Sequence, residues 1–134
     1  MYKIAKIYQQ MGDLVKAEKF YNKLLTSSFS EEKYDLSISD IYFQKAYINF
    51  LMHKFQKSIK EFNQFIKKFP QDKRITESYF YIGKCYFNLG KYIEAKSIFN
   101  LIVKKYKESF WAKLSSYYLN RIKWITEVEK EFSF

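Results

Sequence analysis

One cysteine, one proline, three glycines and one histidine are all that this 134-residue chain has of the residues that staple, break or most often catalyse. The lone Cys85 excludes an internal disulfide and a thiolate metal cluster, and leaves the redox compartment open. So little glycine and proline, with no stretch alternating polar and apolar over a strand's length, excludes a turn-rich β architecture. The apolar runs are broken by Lys, Asn or Gln well short of the ~20 residues that cross a bilayer. No glycine-rich phosphate loop, dinucleotide fingerprint or Cys/His ligand set is written in the chain. His53 falls at a predicted turn with no convergent partner, and Glu31-Glu32 and Glu127/Glu129/Glu131 fall in a linker and a tail. No catalytic, metal-binding or cofactor-binding residue is therefore assigned, and the chain reads as something other than an enzyme.

The opening residues, Met1 to Tyr8, show no basic stretch followed by an apolar run. As written they carry no secretory signal and no lipid-bearing cysteine, and the expected location is cytoplasmic; a truncated or mature amino end would make it periplasmic or outer-membrane-associated.

What the chain has in abundance is core material: 48% hydrophobic residues, with 13 Tyr and 14 Phe. That is too rich for disorder and points to an all-α fold of long helices joined by short turns. The formal net charge is +10, but only Arg74 and Arg121 among the 24 basic residues are arginine. Phosphate and base recognition prefers the planar guanidinium, so the lysines read as a solvated face and the balance argues against nucleic acid as a partner.

Three segments superimpose on a small residue, a turn residue, a second small residue and an aromatic. They are Ala5, Gly12, Ala17 and Tyr21; Ala46, His53, Ser58 and Phe62; and Gly83, Gly90, Ala95 and Phe99, with offsets of 7, 12 and 16 in each. A helix hairpin explains the spacing: the small residues let two helices approach, and the turn residue ends the first helix in a conformation that favours positive φ. Helices are predicted near 1–11, 13–27, 37–52, 54–69, 74–89, 91–106 and 109–129.

On these residues the chain resembles the tetratricopeptide repeat family. The third unit carries the family pattern as Tyr79, Ile82, Gly83, Tyr86, Ala95 and Phe99, with Lys107 where proline would stand. The middle unit carries it as Tyr42, Ala46, Ser58, Phe62 and Pro70, departing at Lys45 and Asn49, where the family would have Leu and Tyr. The first carries Ile4, Ala5, Tyr8, Ala17 and Tyr21, and Trp111, Leu114, Ser115 and Tyr118 begin a fourth match that reads as a capping helix, with Glu127, Glu129 and Glu131 giving it a polar outer side. The resemblance implies a single α-solenoid domain over 1–134, with hairpin units about 1–29, 39–72 and 76–108, a capping helix about 109–130 and a linker about 28–37.

The resemblance further implies a concave groove lined by the first helix of each hairpin, holding a peptide or protein partner without catalysis. Its expected lining is Tyr2 and Lys6 with Gln9, then Phe43, Tyr47 and Phe50, then Phe80, Lys84 and Phe87. The competing reading of these aromatics is burial between helices, as expected of a helix packed on two sides. The run Phe62 to Pro70, the run Ser78 to Tyr86 and the stretch Ala95 to Tyr106 are similar to bacterial envelope members of the family. Those are the outer-membrane-assembly lipoprotein that helps insert β-barrel proteins and the Tol-Pal-associated periplasmic coordinator. A basic accessory factor for nucleic acid or anionic membrane, and a structural subunit of a larger motor or membrane-associated complex, stay open as alternatives, and oligomeric state is not legible.

Overall fold

The computed structural model describes residues 2–26 and 38–132. The expected linker at about 28–37, with Glu31 and Glu32, lies outside them, as do Met1 and the side chain of Tyr2. Among the described residues the structure is all-helical: α1 (Tyr2–Gln10), α2 (Leu14–Thr26), α3 (Ile38–Leu51), α4 (Phe55–Lys68), α5 (Ile75–Asn88), α6 (Tyr92–Lys105) and α7 (Phe110–Glu131). Each lies within two residues of its predicted span. The fold class is the expected one, helix hairpins of the tetratricopeptide kind closed by a last helix. The chain divides into two compact units, Met1–Asp72 and Lys73–Phe134.

The three hairpin turns share one backbone geometry. Gly12 (φ 85°), His53 (φ 61°) and Gly90 (φ 74°) are left-handed, as their shared place in the repeat predicts. At the first turn the Gly12 N–H donates to the Gln9 carbonyl and the Asp13 N–H to the Tyr8 carbonyl. His53 and Lys54 donate to Phe50 and Asn49, and Gly90 and Lys91 to Phe87 and Tyr86, in the same pattern. Each turn thus satisfies two carbonyls that a helix end would otherwise leave without donors.

In the first unit α1 pairs with α2 and α3 with α4, and α2 packs on α3. Ala5, Ala17, Tyr21, Leu24, Ile41 and Ile48 form one buried cluster across the first three helices. Ala46 and Ser58 are buried where α3 meets α4, and the Ser58 hydroxyl donates to the Ala46 carbonyl at 2.9 Å. A small hydroxyl can thus replace alanine at a close helix contact, because its hydrogen bond is satisfied there. Phe62 and Phe65 fill the rest of that hairpin and are fully buried. After Phe69, the C-cap of α4, Pro70 stands where another helical turn would need its missing N–H.

In the second unit α5 pairs with α6, and α7 packs on both. Phe80, Ala95, Phe99, Ile102, Ala112 and Ile122 are its buried cluster. At Gly83 a Cβ would stand 2.7 Å from the Phe99 ring, so only glycine lets that ring lie against α5. Cys85 is fully buried in α5. The Ser109 hydroxyl caps α7 by accepting from the Ala112 N–H at 3.1 Å. The outer side of α7 is not only polar, as Glu127, Glu129 and Glu131 led one to expect. Tyr117 and Trp124 are exposed there as well, at seven-residue spacing.

Candidate partner-binding faces

In the first unit a crevice of about 360 Å³ opens between α1 and α3, lined by Lys6, Gln9, Gln10, Gln44, Tyr47 and Leu51. Its geometry starts from Tyr21, buried in α2. Burial pushes the phenol pKa up to about 12, so Tyr21 stays a neutral donor, and its hydroxyl donates to Gln9 Oε1 at 3.0 Å. That bond fixes which way the Gln9 amide points, and its Nε2 donates to Gln44 Oε1 at 2.9 Å. The two glutamines are thus held in place by a chain of hydrogen bonds rooted in the core. Beside them the Tyr47 ring stacks between Phe43 and Phe50, at centroid distances of 6.3 and 6.4 Å.

The expected lining of α3 divides. Tyr47 and Phe50 are half-buried, whereas Phe43 is only 4% exposed and packs edge-on against Phe62 and Phe65. Phe43 is therefore corrected from groove to core: its ring lies in the interior that α4 closes. Gln10, Gln44 and Leu51 were not expected in the lining. Gln44, Tyr47 and Leu51 follow one another at offsets of 3 and 4, sharing Tyr47 with the aromatic stripe and taking the residues next to Phe43 and Phe50 in place of those two.

The second unit shows the same division on α5. Phe80, 5% exposed, sits among Phe99, Trp111 and Tyr118 at 5.2 to 5.9 Å and is likewise corrected to core. Lys84 and Phe87 stay half-buried and meet Tyr118 of α7. The Lys84 ammonium donates to Tyr118 Oη at 2.7 Å and lies 4.1 Å from the centre of that ring, while Phe87 packs against the ring edge-on at 5.2 Å. Lys84 thus holds α7 against α5, with two of its three ammonium protons not given to Tyr118.

Tetratricopeptide repeat models match residues 40–72 and 77–109, and a second such model matches 1–30. The chain belongs to the tetratricopeptide repeat family. Solved structures similar to it include the following two. The tetratricopeptide domain of Arabidopsis OM64 is 18% identical with a TM-score of 0.67, over 90% of this chain and 91% of that one. A tetratricopeptide repeat protein from Parabacteroides merdae is also 18% identical with a TM-score of 0.68, over 91% of this chain but 44% of its own length. At such identity the likeness is one of fold. No curated protein matches the sequence.

Tetratricopeptide domains generally mediate protein–protein interaction and are typically non-catalytic. In their terms α1, α3 and α5 are first helices, and the crevice lining, Lys84 and Phe87 stand on them. Among the described residues no group of three or more His, Cys, Asp or Glu could hold a metal ion, and no helix is long and apolar enough to cross a membrane.

Proposed function

We propose that this chain is a non-catalytic scaffold that binds a peptide or protein partner on the faces of its first helices, within a bacterial envelope or outer-membrane assembly. The observation that carries the binding reading is the α1–α3 crevice. It joins a cation, fixed amides and an aromatic ring, the set that recognises an extended backbone and its carboxylates. Gln9 and Gln44 are oriented before any partner arrives, so little side-chain freedom is lost on binding. Lys84 and Phe87 supply the corresponding cation and ring in the second unit. The envelope placement rests on the likeness of the run Phe62 to Pro70, with its aromatic-proline ending, to envelope members of the family.

Capture from the source cell's lysate tests this, with wild type beside Lys6→Ala/Gln44→Ala/Tyr47→Ala, at moderate and high salt, circular dichroism confirming that the variant is folded. A discrete envelope protein held by wild type at both salt concentrations and lost by the variant supports the proposal. Nucleic acid or lipid released by salt and indifferent to the substitutions would overturn it, because contacts to polyanions are strongly salt-dependent.

A further inference from the structure

A different crevice, about 390 Å³ in volume, opens in the second unit between α6 and α7. It is lined by residues between 92 and 100 of α6 and between 119 and 126 of α7. At ~1.5 Å per residue these stretches run about 10 to 12 Å, the length of two helical turns. Its apolar lining is Tyr92, Leu119 and the buried Ile122, and Ile93 projects at its edge, 84% exposed. Lys96 and Lys123, one from each helix and both exposed, are the charged residues in the lining, which holds no carboxylate. The Thr126 hydroxyl already donates to its own helix, to the carbonyls of Ile122 and Lys123.

We propose that this crevice docks an amphipathic helix from an acidic partner protein. Two or three apolar side chains at helical spacing would seat against Tyr92, Ile93, Leu119 and Ile122, with Asp or Glu on either flank meeting Lys96 and Lys123. Three features select this occupant. The lining spans two turns, which suits anchors at i, i+3 or i+4, and i+7. A helix satisfies its own amides, so it makes no demand on the uncharged polar groups of the lining, Asn100, Asn120 and the already bonded Thr126. A second copy of this chain is disfavoured because each carries a net +10. The site is separate from the first-helix faces, so either can fail without the other.

The probe is a labelled synthetic helical peptide with leucines along one face and glutamates on both flanks, its binding read by fluorescence anisotropy. Saturable binding is expected, weakened about tenfold or more by Ile93→Asp and by Lys96→Glu/Lys123→Glu. The same peptide with lysines for glutamates should bind Lys96→Glu/Lys123→Glu and not wild type. Lys60→Glu/Lys67→Glu, an equal change of charge on α4, should leave the affinity within about twofold. All these positions except Ile93 are charged and exposed, so the variants should melt like wild type. Absence of saturable binding, an equal loss in the α4 variant, or failure of the basic peptide to bind the charge-reversed crevice would each overturn the proposal.

Discussion

At one pair of facing positions the first hairpin sets Tyr8 on Phe20, rings stacked at 5.5 Å, while the corresponding pair in the middle hairpin is Asn49 and Glu61. The third hairpin has Tyr86 and Ile98 there, packed against the buried cluster of its unit. The three turns are alike and the small residues are alike, so the backbone does not require the difference. The middle pair is buried, Glu61 being 8% exposed, and Asn49 Nδ2 donates to Glu61 Oε1 at 2.8 Å. Among the described residues neither Asn49 Oδ1 nor Glu61 Oε2 finds a donor. Burial raises the Glu61 pKa, against the lowering by Lys45, Lys57 and the Asn49 bond, with Glu18 adding to the rise. The comparison teaches that the hairpin needs the volume filled, and that apolar filling does this at no electrostatic cost.

The largest expected effects lie where the comparison predicts sameness. Phe43→Ala and Phe80→Ala, one in each unit, should each destabilise by about 3–5 kcal/mol in urea unfolding. A small loss at either, with weakened partner binding, would return that ring to the groove. Gly83→Ala should cost about 1–3 kcal/mol, because the added methyl meets the Phe99 ring, and Phe99→Leu should recover part of the loss when combined with it.

The middle pair should respond asymmetrically. Asn49→Ala leaves a buried carboxylate oxygen without its donor and should cost about 1–3 kcal/mol. Glu61→Gln should instead stabilise at neutral pH by about 1 kcal/mol, since an amide has no charge to desolvate and can donate to Asn49 Oδ1. Because the folded pKa of Glu61 lies above its ordinary 4.5, the folded protein holds that proton more tightly than the unfolded chain. Stability from this group is therefore present below the ordinary value and is lost as pH rises through the folded one. Unfolding measured across that window should show a steeper fall in wild type than in Glu61→Gln, where Glu77, its pKa also raised by burial against the lowering by Arg74, keeps its share; the same slope in both would assign the pH dependence elsewhere. The smallest effect is at His53. Replacing it by Gly should relieve the left-handed strain and lose the stacking of the imidazole on Phe55, for a net gain of about 0.5 kcal/mol read as a raised Tm.

The hairpins were legible in the sequence because their decisive contacts are local. A positive-φ turn and two small residues at fixed offsets leave their mark within thirty residues or so, and Gly83 against Phe99 is such a mark. The division of the aromatic stripes was not legible. Phe43, Tyr47 and Phe50 share one helical face, and periodicity cannot say which of them a neighbouring helix covers. Phe43 is covered by α4 and Phe80 by α6 and α7, at depths set by how the helices meet. Lys84 reads in the sequence as a cation for a partner because Tyr118, which accepts a hydrogen bond from its ammonium at 2.7 Å, lies 34 residues further along the chain. The Asn49–Glu61 bond escaped for a similar reason. Asn49 was visible as a departure from the family's tyrosine, but nothing near it in the chain named the carboxylate that answers it.

Cys85, fully buried in α5, gives the second unit a chemical clock. A thiol reagent can reach this cysteine only during those moments when α5 parts from whatever covers it, so the rate of modification counts those openings. The first unit contains no sulfhydryl to confuse the count. A partner whose seating on α5 steadies that helix should slow the clock, and its arrival could be timed without any added label on the protein.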